Sequence, residues 1–315
     1  MNIELCDEAR EFGRESLRAF RAAGGDELLQ RAETEPAVRG DLVEPLLTAL
    51  GAWDLAPRDD AVELEAAAAL CRSAGYYAVP YPIAERLVRV PESDGLIVVD
   101  GPEPGGAVAG LDLRWSAVTL SGERAEITPR EPDSPPRTSM FVARLEPGPP
   151  SPVTPDGERD AALALALPCW TLLGMLDRAM DLARDHVLVR EQFGRPLAEF
   201  QSVQFQLTDA EVERRGVEML ARYALWSIQD RRADALNDAL AARLAAVEAA
   251  DIVFRVAHQV HGALGFCDES PLSWLSRYSL PLRRFPCGRS GTEAALTRRI
   301  EGHGLAGLFS EPTGA

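Results

Sequence analysis

The sequence predicts a mainly helical protein with a small β module between two helical regions. Three observations predict this fold class: an alanine-rich first region with helical spacing of apolar residues, short β-prone runs in the middle, and long helical stripes in the last half. We place these regions at residues 1–90, 91–155 and 156–315. They predict an N-terminal helical domain, a reduced middle β domain and a C-terminal four-helix bundle.

Apolar residues of the first region follow the period of a helix. Leucines recur at helical spacing at Leu42, Leu46, Leu47 and Leu50. A further apolar helix is predicted from Val62 to Cys71, ending near Gly75, where a glycine suits a C-terminal stop. The Pro80 and Pro82 pair then interrupts the helix and restarts it.

The middle region changes to short β-prone runs separated by Pro and Gly clusters. The runs are Leu96 to Val99, Ala117 to Leu120, Ala125 to Thr128 and Met140 to Val142. The glycine cluster at residues 101–106 lacks the context of a phosphate loop, so we expect a plain turn there.

Helical periodicity returns from about residue 160. A first stripe leads to Arg190, and a third helix is expected from about Ala233 to Val260. The apolar residues of the second helix are Val203, Phe205, Leu207, Val212, Met219 and Leu220. With a segment after Pro271, these helices predict an antiparallel four-helix bundle, in which such stripes are core packing.

Charge and composition exclude several classes of function. The formal net charge is −16 and the pI is near 4.8, which disfavours binding to nucleic acid. All 33 basic residues are arginine, so no lysine can act as Schiff base or acid. No apolar run approaches the roughly 18 residues of a spanning helix, and the first residues lack a signal core. We therefore expect a cytoplasmic protein with no membrane role.

Cysteine and histidine usage gives no sign of a metal site. The five cysteines are scattered and never form a Cys-x-x-Cys pair, so we expect reduced thiols without disulfides. His258 and His261 lie three residues apart on one helical face, but no third ligand is evident nearby. Packing roles for these histidines are favoured over metal binding.

Two motifs carry the functional signal. Residues 190–201 read Arg-Glu-Gln-Phe-Gly-Arg-Pro-Leu-Ala-Glu-Phe-Gln, and residues 257–266 read Ala-His-Gln-Val-His-Gly-Ala-Leu-Gly-Phe. The first motif is typical of a helical hairpin, with a turn built on Gly194 and Pro196. Over roughly residues 160–300, the chain resembles the acyl-CoA dehydrogenase family.

The resemblance implies a shared FAD site. In the family, the Arg and Gln of the first motif hold the pyrophosphate of an FAD that belongs mostly to the neighbouring subunit, and the second motif lies along the same cofactor. The implied cofactor-binding residues are Arg190, Gln192, Phe193, Gln201, Gln259, Gly262 and Thr292. Read without the resemblance, Arg190 is a helix-end cation and Phe193 is hairpin core. Gln201 and Gln259 stand beside apolar neighbours, and we expect them to satisfy buried groups.

The residues that would carry the chemistry depart from the family. Its members remove the α-proton of an acyl-CoA with a glutamate, but Ser290 stands at that position here. The alternative base position falls at Leu163–Leu165, which is wholly apolar. Glu293 is close in sequence to Ser290 but three residues along a helix, and therefore faces a different direction. No catalytic residue is predicted.

Other departures affect the cofactor site. Ala294 occupies the place where the family often has a cofactor-binding Gln, and the Thr-rich, Gly-Ser segment that cradles the flavin ring is missing from the shortened middle region. The Pro80 and Pro82 pair resembles the entry to the family's substrate-side helices.

These features match family members that work as unequal pairs. Heteromeric acyl-CoA dehydrogenases of steroid-degrading actinobacteria resemble this arrangement, with two different subunits and one flavin per pair. The resemblance implies a base-lacking subunit that binds FAD together with a homologous partner and acts on an acyl-CoA. The alternatives are a homo-oligomeric active enzyme with an unusual base such as Glu293, a flavin-free structural pseudoenzyme and, less favoured, a flavin monooxygenase.

Overall fold

The first region is helical, as predicted, and its described residues form five α-helices. A computed structural model of the chain describes residues 3–101, 103–130, 141–151, 153 and 156–304. A π-helical turn, Arg39–Val43, leads into the third of these helices. The helices are α1 (Asp7–Ala22), α2 (Glu27–Thr34), α3 (Glu44–Ala49), α4 (Ala61–Tyr76) and α5 (Ile83–Leu87).

The described residues of the middle region form a five-stranded sheet. Its strands are β1 (Gly95–Val98), β2 (Gly105–Gly106), β3 (Trp115–Val118), β4 (Arg124–Arg130) and β5 (Ala143–Pro147). Their order is β1-β3-β4-β5-β2, with β1 parallel to β3 and the other pairs antiparallel. The small β module is therefore confirmed.

Two details of the predicted sheet are wrong. The run at Met140–Val142 is not the last strand, which begins at Ala143; Met140 itself lies outside the described residues. Phe141 packs against Tyr278 and Arg39 instead of joining the ladder. The glycine cluster is not a plain turn, because Gly105 and Gly106 pair with β5 as an edge strand.

The last region forms the predicted helical bundle. Its helices are α6 (Gly157–Val189), α7 (Gln201–Gln229), α8 (Ala235–His261), α9 (Pro271–Arg284) and α10 (Gly288–His303). Between α6 and α7 lies a two-stranded hairpin of β6 (Glu191–Gln192) and β7 (Arg195–Pro196). Helices α6, α7 and α8 pack on one another, α9 packs on α6 and α8, and α10 packs on α8.

The expected core stripe of α7 is only partly buried. Val203 and Leu207 pack against the core, whereas Phe205, Val212 and Met219 are 60%, 62% and 51% exposed. Periodicity shows that these positions are apolar but cannot show whether another helix covers them. Within the described chain, the helices that pack on α7 leave these three side chains exposed.

Helix α4 ends at Tyr76, close to the stop predicted near Gly75. A Cβ on Gly75 would lie 1.9 Å from the carbonyl oxygen of Thr171 on α6, so the glycine also permits a close helix crossing. Buried residues of α1, α4, α6 and α8 share one continuous hydrophobic cluster, exemplified by Phe20, Leu70 and Trp170. A second, smaller cluster around Trp115 lies on the sheet.

Helix α6 differs from what the sequence led us to expect. It contains an 18-residue window long and apolar enough to cross a bilayer by length and composition. However, 83% of that window is buried inside the protein, because α6 is the central helix of the bundle. The five cysteines are all free thiols, as predicted, and Cys71 and Cys169 are buried.

Candidate functional site

The motif at residues 190–201 folds as a tight β-hairpin and not as a purely helical one. Its turn consists of Phe193 and Gly194, both with left-handed backbone (φ of 54° and 80°), whereas the expected turn residue Pro196 lies in β7. Such a two-residue turn with two positive φ angles is the type that suits the twist of a hairpin. Phe193 is 90% exposed and meets the edge of Phe200, with ring centroids 6.2 Å apart. The hairpin therefore presents an aromatic ring to solvent.

A stack of aromatic side chains joins the two motifs at one end of the bundle. His186 of α6 stacks on His261 of α8, with centroids 4.4 Å apart, and the Nδ1 of His261 lies 2.8 Å from the carbonyl oxygen of Ala257. His258 stacks on Phe266 at 4.4 Å. Arg190 follows His186 by one helical turn, and Gln259 precedes His261 by two residues. The contact between His186 and His261 therefore brings the two motifs together.

The three imidazoles of this stack favour the neutral form. Burial lowers the pKa of His186, and the neighbouring His261 and Arg190 lower it further. Burial also lowers the pKa values of His258 and His261. Within the described chain, no group of three or more His, Cys, Asp or Glu side chains could hold a metal ion. The stacked rings of His186 and His261 join α6 to α8 at this end of the bundle.

The four polar candidates of the two motifs are exposed and unengaged. Arg190, Gln192, Gln201 and Gln259 all lie at the surface, and the described residues provide no hydrogen-bond or ion-pair partner for their side chains. The expectation that Gln201 and Gln259 satisfy buried groups of this chain is therefore wrong. We call these four side chains the donor set. Because each is exposed and has no internal partner, each can donate to a group from outside this chain, such as an anionic phosphate.

The second motif has open space at Gly262, three residues after Gln259. Gly262 ends α8 with a φ of 60°, and no atom would lie within 4 Å of a Cβ placed on it. A ligand can therefore approach the backbone here closely.

The candidates near the C-terminal end of the chain lie on α10. Thr292 is buried, and its hydroxyl donates to the carbonyl oxygen of Gly288 at 2.6 Å, so the described fold already uses it. Ser290 and Glu293 are exposed on the same helix. Glu293 therefore does not point into an enclosed pocket.

The space between the sheet and the bundle is narrow. A cavity of about 50 Å³ lies between β1, β2, α6 and α9, and one of about 70 Å³ lies between α5, α6 and α9. A Cβ on Gly105 of β2 would lie 2.4 Å from the ring of Phe285, which shows how closely this edge packs. Typical ligand sites measure about 300–1,000 Å³. Neither cavity can hold an isoalloxazine ring, so these two cavities do not fit the ring of FAD. The exposed guanidinium and amides of the donor set are groups of the kind that can hold its pyrophosphate.

A larger cleft of about 620 Å³ between α1, α4, α6 and α7 was not predicted from the sequence. Asp177 of α6 accepts from Arg72 of α4 at 2.6 Å and from Arg214 of α7 at 2.7 Å. Burial alone would raise the pKa of Glu218, but Arg72 and its other arginine neighbours lower it overall. Because its buried arginines are neutralised by these carboxylates, the cleft is an ion-pair network that joins α4 to the bundle.

Sequence reasoning also missed a glutamate in the narrow space. Glu85 of α5 lines both small cavities. The sequence offered one signal for Glu85. It is a charged residue directly after the apolar pair Ile83 and Ala84, in a segment that follows Pro80 and Pro82.

Comparison with known proteins decides the family. Residues 166–300 match the model of the acyl-CoA dehydrogenase C-terminal domain. The C-terminal helical domain belongs to the acyl-CoA dehydrogenase family. The sequence resemblance stated above is thereby confirmed.

Among curated proteins, similarity to this acyl-CoA dehydrogenase domain is confined to a segment. The 3-sulfinopropanoyl-CoA desulfinase of Paraburkholderia xenovorans is 35% identical over 136 residues, which cover 40% of this chain and 34% of that protein. The matched segment thus spans about a third of the length of that relative.

Solved structures match the acyl-CoA dehydrogenase fold over nearly the whole chain. A variant of the Tcur3481-Tcur3483 steroid ACAD matches with a TM-score of 0.79 and 20% identity, covering 95% of this chain and 99% of that one. The ChsE4-ChsE5 complex from Mycobacterium tuberculosis matches with a TM-score of 0.75 and 18% identity, covering 97% and 100%. At these identities the likeness shows the shared fold.

Proposed function

We propose that this chain is a subunit of an FAD-dependent acyl-CoA dehydrogenase, namely the subunit that lacks the family's catalytic glutamate. On this account it clamps the pyrophosphate of an FAD whose ring is held by a homologous partner. The observation that carries the proposal is the unengaged donor set of Arg190, Gln192, Gln201 and Gln259 beside an exposed hairpin.

The small size of the two cavities between the sheet and the bundle supports a role for two subunits, one that binds the pyrophosphate and one that binds the flavin ring. The two cavities there, about 50 and 70 Å³, leave no room for the flavin ring, although the donor set is exposed to a neighbouring molecule. A clamp of this kind positions the cofactor, and orientation of reacting groups accounts for a large part of many rate enhancements. Bound FAD would supply the hydride acceptor for the α,β-dehydrogenation.

Exposed apolar residues support assembly with another subunit. Phe205, Val212 and Met219 recur every seven residues along α7, which places them on one face of the helix. Together with exposed Phe193, they form apolar surface of the kind that marks protein interfaces. Two structural neighbours named above, the Tcur3481-Tcur3483 steroid ACAD variant and the ChsE4-ChsE5 complex, support a homologous partner. They make lipid or steroid acyl-CoA thioesters the substrate class to test.

The two positions at which the family places its base support a subunit without one. Ser290 is an exposed hydroxyl on α10, while Leu163 and Leu165 are fully buried apolar side chains of α6. None of these residues can accept the α-proton of an acyl-CoA.

A homo-oligomeric enzyme is the second candidate, because the apolar face of α7 could equally cover a second copy of this chain. Such an enzyme would bind FAD without a partner. The test is purification of this chain alone, of a homologous acyl-CoA dehydrogenase chain alone, and of the two co-expressed, with size exclusion and a flavin spectrum on each. Flavin that appears only in the mixed complex supports the proposal; flavin bound by this chain alone favours the homo-oligomer and overturns it.

A further inference from the structure

Three of the four histidines of this chain lie together at the hairpin end of the bundle. His186 is in the last turn of α6, and His258 and His261 are in the last turn of α8. The rings of His186 and His261 are stacked, with planes inclined by 20°, whereas His258 stacks separately on Phe266. The pair of His186 and His261 is therefore a direct contact between the ends of two long helices.

The hydrogen bond of His261 determines where that ring carries its proton. Its Nδ1 lies 2.8 Å from the carbonyl oxygen of Ala257, and because a carbonyl can only accept, Nδ1 is the donor. Both rings of the pair are half-buried. Since two charged rings in face-to-face contact would repel each other, the pair can hold one extra proton but not two.

Arg190 distinguishes His186 from the other two histidines. Its backbone N–H donates to the carbonyl oxygen of His186 at 2.9 Å, so the guanidinium starts one helical turn from the ring. After burial and the neighbouring His261, the charge of Arg190 also lowers the pKa of His186. Burial lowers the pKa of His258 and of His261 without a contribution from Arg190. His186 is therefore the histidine that responds to charge at Arg190.

No carboxylate within the described parts of the chain forms an ion pair with these rings. Those of the neighbouring segments are engaged by arginines or exposed: Asp185 pairs with Arg184, Asp268 pairs with Arg277, and Glu191 and Glu199 are exposed. A negative charge beside a histidine stabilises its protonated form. His186 lacks such a neighbour, and an anion bound at Arg190 would supply one.

The position of His186 in its helix also favours a positive charge. The carbonyl end of a helix carries partial negative charge, which stabilises a cation in the last turn. Burial and Arg190 act in the opposite direction. Because these influences oppose each other, one further negative charge nearby can change the protonation of His186.

We propose that His186 takes up a proton from solvent when a dianionic pyrophosphate binds at Arg190, so that two cations of this chain face the anion. The proton returns to solvent when the anion dissociates, and His261 stays neutral beneath the ring. By linkage, binding of the pyrophosphate becomes tighter as pH falls. This inference rests on the proposed function, because it assigns a further residue to the same cofactor clamp.

The test measures the protons taken up when FAD binds to the mixed complex of this chain and its homologous partner. Calorimetric titrations in buffers of different ionisation enthalpy give that number, and the pyrophosphate diester of FAD does not itself titrate near neutral pH. Between about pH 7 and about pH 5, where histidine titrates, we expect uptake of up to about one proton and about three- to tenfold tighter binding. Size exclusion at each pH checks that the complex stays assembled.

Two histidine variants decide whether His186 is responsible. His186→Phe keeps a ring against His261 but cannot take up a proton, so the uptake and the tightening should both be lost; His186→Gln serves if this variant does not assemble. His258→Phe is the matched control. It removes a histidine from the same end of the bundle that stacks on Phe266 and does not respond to Arg190, so both effects should persist.

The outcomes separate this inference from the proposed function. FAD binding without proton uptake by the wild type, or uptake that survives in His186→Phe, would overturn the inference and leave the clamp in place. FAD binding that Arg190→Ala does not weaken would overturn the proposed function, and the inference with it.

Discussion

The carbonyl oxygen of Thr171 on α6 lies where a side chain at Gly75 on α4 would begin, since a Cβ on Gly75 would be 1.9 Å from that oxygen. Gly174 of α6 has the reciprocal relationship with the carbonyl oxygen of Arg72, also at 1.9 Å. The two glycines let the N-terminal helices join the core of the bundle through direct backbone contact.

Gly75→Ala should therefore destabilise the protein by about 3 kcal/mol, because the backbones of α4 and α6 must separate to admit the methyl group. Urea unfolding measures the effect. Gly216→Ala is the matched control: Gly216 lies in α7 with nothing within 4 Å of its would-be Cβ, so alanine should stabilise by about 1 kcal/mol. Equal stability of Gly75→Ala and the wild type would show that the helices do not cross so closely.

Asp177→Ala should also destabilise the protein, by about 1–3 kcal/mol, because it removes one of the two carboxylates that Arg72 and Arg214 share and leaves only Glu218 between them. Asp185→Ala is its control on the same helix. Asp185 is exposed and pairs with Arg184 at the surface, where such pairs contribute little. Thermal unfolding of both variants separates the two roles, and similar values of Tm for the two would contradict the network.

Phe193→Asn should make the isolated chain more stable, because asparagine tolerates the left-handed backbone that Phe193 adopts at a φ of 54°. The gain is about 1 kcal/mol, the order of the steric cost of that conformation. The same variant should weaken assembly with the partner, since it removes an exposed ring. Analytical ultracentrifugation with thermal unfolding measures both effects, and a variant less stable than the wild type would argue that the ring stabilises the hairpin.

Glu85 should make stability depend on pH in the direction opposite to an ion-paired carboxylate. Its pKa is raised in the folded state, so between its ordinary value and the raised one the folded protein binds more protons than the unfolded chain. The free energy of unfolding then falls as pH rises through this window. Glu85→Gln should be more stable than the wild type at pH 8 and nearly equal to it at pH 4; urea titrations at the two pH values measure this. A wild type that gains on the variant as pH rises would contradict the assignment.

Much of the fold follows from residue periodicity. The stripes that end at Arg190 and at Val260 mark α6 and α8 within a few residues, because a helix buried on several sides repeats its apolar residues faithfully. The same signal fails for Phe205 and Val212, where an apolar face is exposed in the single chain. Periodicity shows that a face is apolar and cannot say whether this chain covers it.

Other features depend on contacts between segments far apart in sequence. The end of α4 near Gly75 follows from the sequence, but the close approach of Gly75 to Thr171 does not. The pairing of Gly105 with Arg144 cannot be read from the glycine cluster either. The motif residues Arg190 and Gln259 were found through the family resemblance. Glu85 was missed because no motif marks it and its cavity walls come from separate helices and strands.

The central claim is that the hairpin donor set holds an FAD shared with a partner, and the most direct measurement is the flavin content of the purified mixed complex. Arg190→Ala should lower the ratio of flavin to protein without lowering the Tm of the isolated chain, because its side chain is exposed and has no partner among the described residues. Arg144→Ala, an exposed arginine on β5, should leave the ratio unchanged. Full flavin content in the Arg190→Ala complex would contradict the account.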